Sequence, residues 1–237
     1  MKPDTQQGFT LLELSIVLVI IGILSSTLLE PLGNRIEAGK RRDTEQLLSM
    51  VNQSLIGFAI AHGRLPCPAP FDGPAYEAEQ CEGNSIKGTV PAITLGLPTH
   101  RNVQGAALDA WNQPLHYVVS GADHPSAGQA GTPDFISSGE MQRVGMANLA
   151  ASLQICAEPA TSNCPRRSLL ANQVPVLIYS TGKPAEPSDF ESENLDDDTV
   201  FVSRDYSQVQ GFHFDDLITW IPENLLFYRM MQAGVLP

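Results

Sequence analysis

The sequence predicts an α+β protein in which one long N-terminal α-helix, membrane-spanning in its first half, packs on an antiparallel β-sheet domain. Three observations predict this architecture: residues 9–29 are apolar almost throughout, residues 30–63 repeat apolar positions at helical spacing, and residues 64–237 hold short strand-like runs bounded by turn residues. Short strands that follow one another without alternating helices are typical of antiparallel sheets. The 237 residues suffice for one sizeable domain beyond the N-terminal helix.

The apolar run from Phe9 to Leu29 contains one charged residue, Glu13. As a helix, about 20 apolar residues at about 1.5 Å each cover the hydrocarbon core of a bilayer. A carboxylate near the centre of such a run costs about 2.5 to 3.5 kcal/mol on insertion scales. Glu13 lies near one end, where the cost is smaller. We interpret Glu13 as a carboxylate that pairs with a cation when subunits pack.

The start of this run, Gly8-Phe9-Thr10-Leu11-Leu12-Glu13, resembles the processing site of type IV prepilins and of the pseudopilins of type II secretion. In that family a membrane-embedded prepilin peptidase cuts after the glycine and N-methylates the new terminal residue. The resemblance implies that residues 1–8 are a leader, that Gly8–Phe9 is the cleavage site and that Phe9 is methylated. It also implies that Glu13 meets the N-terminal amine of a neighbouring subunit.

The same resemblance implies a structural subunit, a minor pilin or pseudopilin, and not an enzyme. Its expected partners are the prepilin peptidase, other pilin or pseudopilin subunits and the inner membrane. The expected topology is a single pass through the bacterial inner membrane, with residues 30–63 as the amphipathic half of the helix and residues 64–237 as a periplasmic domain. Consistent with this, the sequence has no G-x-S-x-G, H-E-x-x-H, G-x-G-x-x-G or phosphate-loop motif.

Two alternatives compete with prepilin processing. A secretory signal peptide needs a basic n-region, a charge-free apolar segment and small residues at the cleavage site; here Asp4 offsets Lys2, Glu13 interrupts the apolar segment, and there is no A-x-A site. A membrane-tethered periplasmic binding module or hydrolase would use the N-terminus only as an anchor. Glu13 discriminates against this second alternative, because a plain anchor has no use for a carboxylate.

The charges that follow the apolar run oppose the expected topology. Arg35 and residues 40–42 are basic, and the positive-inside rule would place them in the cytoplasm. The cysteines favour the opposite orientation, because an even number behind a membrane anchor indicates an oxidising compartment. We retain the periplasmic assignment for residues 64–237.

The four cysteines allow three disulfide connectivities. We favour Cys67–Cys81 and Cys156–Cys164, because each pair closes a short loop rich in Pro, Gly or Asn. Four reduced cysteines are the alternative, and zinc is disfavoured because no paired C-x-x-C spacing is present.

The chain carries a formal net charge of −12 and a pI near 4.7, which argues against a nucleic-acid partner, since such a partner needs a basic face. Between Glu186 and Asp216 there are ten carboxylates and a single base, Arg204. Calcium takes six to eight oxygen ligands from flexible loops, and some pseudopilins bind calcium in a C-terminal loop. Asp196, Asp198 and Asp215 are therefore candidate calcium ligands; a solvated acidic loop is the alternative, and no other cofactor is predicted.

Local patterns predict the remaining elements. We predict that the helical pattern of residues 30–63 ends at Gly63 and that residues 64–114 form connections and not core. We also predict a helix over residues 140–155 and a short helix over residues 222–233. The apolar positions of the first helix are Leu47, Val51, Leu55 and Phe58. The predicted strands are Leu115–Ser120, Asp134–Ser137, Val174–Ser180, Thr199–Ser203 and Leu217–Ile221.

Residues 109–117 resemble the Asp-x-Trp-Gly-x-Pro-x-x-Tyr turn that leads into the sheet of pseudopilins. Asn112 stands where the family usually has glycine. Because Asn tolerates the left-handed conformation better than most residues, we expect the turn to form here, with Trp111 and Tyr117 buried.

Overall fold

The computed structural model describes residues 9–81, 85–124 and 127–236, apart from the side chains of residues 25–32 and Ser85. The chain divides into two compact units, residues 1–42 and residues 43–237. Gly8 lies outside the described residues.

The described elements form an α+β arrangement, as the sequence predicts. The helices are α1 (Leu11–His62), α2 (Glu140–Val144), α3 (Asp189–Leu195) and α4 (Glu223–Gln232). The strands are β1 (Ser85–Thr89), β2 (His116–Ser120), β3 (Leu153–Cys156), β4 (Leu169–Val174), β5 (Val176–Ser180), β6 (Val200–Val202) and β7 (Leu217–Ile221). Within the described part of the chain, no helix is both long enough and apolar enough to cross a membrane.

The strands form two sheets. The larger has the order β1-β2-β5-β7 and is antiparallel throughout, as predicted. The smaller has the order β4-β3-β6, and its β3–β6 pair is parallel, which corrects the expectation of antiparallel pairing alone. A parallel pair needs a long crossover, and here the chain passes through β4, β5 and α3 between the two strands.

The part of α1 that belongs to the second unit packs on the larger sheet. Leu48, Val51 and Leu55 are almost fully buried in one core cluster with side chains of β2 and β5. The helix ends at His62, and Gly63 adopts a positive φ of 68°, as expected of a glycine that terminates a helix. The predicted apolar face and helix end are confirmed.

The turn before β2 is built around the carboxylate of Asp109. Its Oδ1 accepts the backbone N–H groups of Trp111 and Gln113, both at 2.8 Å, and its Oδ2 accepts the hydroxyl of Ser180 on β5. Asn112 has a φ of 65°, so the predicted left-handed conformation at this position is confirmed. The turn thus connects to the sheet at two points, through the chain into β2 and through the Ser180 hydroxyl.

Two predicted elements are wrong. Residues 134–137 form a turn and not a strand: Ser137 donates its backbone N–H to the carbonyl of Pro133, while Phe135 and Ile136 still reach the core. The helix predicted over residues 140–155 stops at Val144, because Gly145 adopts a positive φ of 74°, and the chain then enters β3. Apolar content alone did not distinguish a buried turn from a strand.

Residues 64–114 are not merely connection, which corrects a third prediction. Leu65, Ala69, Val90 and Leu97 are fully buried in the main core, and the segment supplies β1. Small residues allow this close packing. A Cβ on Gly88 would collide with the backbone of Ala69.

Candidate functional site

The first turn of α1 contains a reciprocal cap formed by Thr10 and Glu13. The hydroxyl of Thr10 accepts the backbone N–H of Glu13 at 3.2 Å, and Oε2 of Glu13 accepts both the backbone N–H and the hydroxyl of Thr10 at 3.1 Å. This is a capping box, which satisfies N–H groups that have no partner within the helix. The sequence pattern Thr-x-x-Glu before an apolar run is the signature of a capping box, a role of Glu13 that we did not predict.

The cap changes the interpretation of Glu13. Its carboxylate lies at the positive end of the helix dipole and already accepts hydrogen bonds from its own chain. Capping alone would therefore explain an acidic residue at this position. Any charge-dependent role in assembly has to be separated from capping by experiment.

The side chains around this cap are apolar and exposed. Phe9 is 90% exposed and Leu11 is 89% exposed, and the pattern continues along α1 as far as its side chains are described before residue 25. The exposed large apolar side chains are Phe9, Leu11, Leu12, Leu14, Ile16, Val17, Leu18, Val19, Ile20, Ile21, Ile23 and Leu24. A contiguous apolar surface of this extent marks a site of membrane or protein contact.

The three candidate calcium ligands do not form one group in the structure. Asp196 and Asp198 lie with Glu193, the carboxylate oxygens of all three being within 4.8 Å of one another. Asp215 belongs to a second group, with Glu191 and His213. The acidic stretch therefore presents two separate clusters.

The Glu193 cluster already holds a cation, the ammonium of Lys87. Its Nζ donates to the backbone carbonyl of Asp196 and lies 4.0 Å from the Asp196 carboxylate and 4.7 Å from the centre of the Phe201 ring. Burial lowers the pKa of Lys87, while the nearby carboxylates oppose that shift. Burial also raises the pKa of Glu193 and of Asp198. Calcium would have to displace this ammonium or bind beside it.

The Glu191 cluster is satisfied by protein donors. Glu191 accepts the backbone N–H groups of Ser188 at 2.7 Å and Asp215 at 2.9 Å, and Nδ1 of His213 lies 3.0 Å from its Oε1. Burial alone would raise the pKa of Glu191, but these hydrogen bonds together hold it below its usual range. Ser188 and Glu191 also form the capping box of α3, so this cluster fastens the helix to the loop before β7.

The structure pairs Cys67 with Cys81 and Cys156 with Cys164, the local connectivity that the sequence favours. The first disulfide closes a loop before β1. The second joins the end of β3 to the segment before β4. Among the described residues no cysteine is free.

The N-terminal segment matches a known family of sequence motifs. Residues 4–29 match the model of the prokaryotic N-terminal methylation motif. This match includes the predicted cleavage site, Phe9 and Glu13. The first residues of the chain are thus similar to the prokaryotic N-terminal methylation motif.

Particular relatives extend the similarity beyond this motif. The type II secretion system core protein G of Klebsiella michiganensis is 26% identical over 141 residues, which cover 59% of this chain and 87% of the relative. The protein of the same name from Dickeya chrysanthemi is 29% identical over 135 residues, 54% of this chain and 81% of the relative. The type IV major pilin protein PilE1 of Neisseria gonorrhoeae is 25% identical over 142 residues, 52% of this chain and 79% of the relative.

No solved structure matches the chain. The motif and the relatives together confirm the predicted resemblance to the type IV pilin-like family.

Proposed function

We propose that this protein is a structural subunit, a minor pilin or pseudopilin, of a type IV pilus or a type II secretion pseudopilus. Prepilin peptidase cuts it between Gly8 and Phe9 and methylates Phe9. Residues 9–29 lie in the inner membrane until assembly, and residues 64–237 are displayed in the periplasm. The proposal assigns no reaction to the chain itself.

The observation that carries this proposal is the exposed apolar surface of α1 with a single carboxylate in its first turn. Lipid accommodates such a surface before assembly, and the matching helices of other subunits accommodate it afterwards. A neighbour's terminal amine that approaches Glu13 would neutralise the carboxylate in a medium of low dielectric, where charge pairs are strong. The two disulfides agree with a periplasmic location for the second unit.

The first experiment determines the mature N-terminus by mass spectrometry, after expression with and without prepilin peptidase. We expect a chain that begins with methyl-Phe9 only when the peptidase is present. A chain that retains Met1 in the presence of an active peptidase would refute the processing step and would favour the anchored periplasmic module. A Gly8→Glu variant is the matched control and should remain uncut.

The second experiment separates charge from capping at the first turn of α1. Glu13→Gln keeps a side chain that can complete the capping box but removes the charge, whereas Thr10→Ala weakens the cap and keeps the charge. We expect Glu13→Gln to abolish incorporation into filaments and Thr10→Ala to retain most of it, as measured by co-purification with other subunits. The reverse ranking would show that Glu13 acts only as a cap. Glu37→Gln, further along α1, controls for the loss of one negative charge.

We also propose that calcium binds to the cluster of Glu193, Asp196 and Asp198, without Asp215. The cluster offers carboxylate oxygens, the ligands that calcium prefers. Lys87 competes for the same position, so Lys87→Met should bind calcium more tightly than the unmodified chain in isothermal titration. Equal affinities would argue against this location, and an absence of millimolar binding in both proteins would remove the proposal.

A further inference from the structure

A groove in the second unit combines an arginine with exposed aromatic rings. It measures about 650 Å³ and lies between the end of β3, the start of α3 and the loop that follows β6. The side chains that line it and matter here are Phe190, Arg204, Tyr206 and Phe212. None of the residues that line the groove belongs to either acidic cluster.

Arg204 contacts an aromatic ring in this groove and not a carboxylate. Its guanidinium carbon lies 3.9 Å from the centre of the Phe190 ring, a close cation–π contact. Its Nη1 is buried and has no hydrogen-bond partner. No described residue forms an ion pair with Arg204. Arg204 is the only lysine or arginine between Glu186 and Asp216, a stretch with ten carboxylates.

Arg204 therefore has a positive charge that no ion pair with a described residue neutralises. A buried N–H without a partner costs about 1 to 3 kcal/mol, and more when the group is charged. Arg can form two parallel hydrogen bonds with a carboxylate, and the contact with Phe190 restricts the movement of the Arg204 guanidinium. Glu158 and Asp205 also line the groove, but both are exposed, so the high dielectric constant of water weakens their interaction with Arg204.

The walls of the groove indicate what accompanies the carboxylate. Phe212 is 54% exposed and Tyr206 is 38% exposed, and the ring of Phe212 lies 6.2 Å from that of Phe190. Arg and Tyr are enriched among the residues that contribute most of the binding energy at protein–protein interfaces, and Phe is enriched in the composition of such interfaces. A ligand that covers these rings has to be apolar next to its charge.

We propose that this groove binds an acidic side chain of a partner protein, flanked in that partner's sequence by aromatic or large aliphatic residues. The partner carboxylate pairs with Arg204, and its apolar neighbour covers Phe212. This inference goes beyond the proposed function, because it requires only the folded second unit and makes no use of α1 or of processing at Phe9.

The test measures fluorescence polarisation of a labelled, end-blocked peptide, Gly-Phe-Asp-Phe-Gly, with the full chain in detergent. Its matched control peptide has Asn in place of Asp. We expect saturable binding of the Asp peptide with Kd at or below about 1 mM, and at least about tenfold weaker binding of the Asn peptide, since the charge-assisted pair is lost. Equal affinity for the two peptides, or no saturable binding of either, would overturn the proposal.

Protein variants locate the site. Arg204→Gln and Phe212→Ala should each weaken the Asp peptide by at least about tenfold, and Arg204→Lys should fall between Arg204→Gln and the unmodified chain. Arg166→Gln removes an exposed arginine outside the groove and should stay within about twofold. Unchanged binding by Arg204→Gln would overturn the assignment. Matching circular dichroism spectra and urea midpoints for the variants would exclude misfolding as the cause of any loss.

Discussion

Replacing Asp109 with alanine should strongly destabilise the second unit. Asp109 is 5% exposed, and its carboxylate accepts hydrogen bonds from the backbone N–H groups of Trp111 and Gln113 and from the hydroxyl of Ser180. Alanine leaves all three donors without this acceptor in a region that water reaches poorly. The turn before β2 and its connection to β5 are therefore lost together.

The magnitude follows from these three contacts. A hydrogen bond to a charged group contributes about 1.5 to 3 kcal/mol, and a stranded buried donor costs about 1 to 3 kcal/mol. Because relaxation relieves part of the loss, we expect Asp109→Ala to lower the free energy of unfolding by about 3 to 5 kcal/mol. Asp109→Asn keeps one carbonyl oxygen for the two backbone donors and should cost about 1 to 2 kcal/mol.

The assay is urea unfolding of the full chain in detergent, followed by tryptophan fluorescence, since Trp111 lies in the turn itself. Asp72→Ala is the matched control, because Asp72 is exposed, and it should change the free energy of unfolding by less than about 0.5 kcal/mol. A loss below about 1 kcal/mol for Asp109→Ala, or the same loss for alanine and asparagine, would refute the reasoning.

Three further predictions concern the second unit. Asn112→Gly should raise the free energy of unfolding by up to about 1 kcal/mol and Asn112→Ala should lower it, because φ is 65° there; the opposite order in urea unfolding would contradict this. Burial raises the pKa of Asp134 from 3.8 to about 6, so the folded state binds this proton more tightly and loses stability as pH rises from about 4 to about 6. Asp134→Asn cannot titrate and should gain up to roughly 3 kcal/mol relative to the unmodified chain over that interval, whereas parallel pH profiles would refute the assignment. Replacing both Cys67 and Cys81 with alanine should cost about 3 kcal/mol, since the disulfide spans 14 residues, and an unchanged urea midpoint would show that it constrains little.

The sequence was informative where the local pattern and the packing agree. Pro222 marks a simple boundary between the strand predicted over residues 217–221 and the helix predicted over residues 222–233. The structure has β7 and α4 there. β1 and β4 were missed because their residues alternate poorly and contain Gly88 and Asn172, so their pairing depends on neighbouring strands that sequence alone does not place.

Among the candidate sites, too, local motifs could be predicted from the sequence, whereas contacts made by the fold could not. Phe9 and Glu13 could be recognised because the motif lies within a few consecutive residues. The separation of Asp215 from Asp196 could not, because α3 and β6 lie between them and decide which carboxylates meet. In the sequence Arg204 is only the one arginine of an acidic stretch; its contact with Phe190 depends on how α3 and the residues after β6 fold together.

The larger sheet is buried on both of its faces. Tyr117, Val119 and Ile178 point into the core that also contains α1, whereas Val118 and Leu177 point into a second core shared with the smaller sheet. The smaller sheet is thus shielded from the helix by a full layer of backbone. Substitutions in the smaller sheet can therefore change what its exposed surface binds, while the core between the larger sheet and α1 stays unchanged.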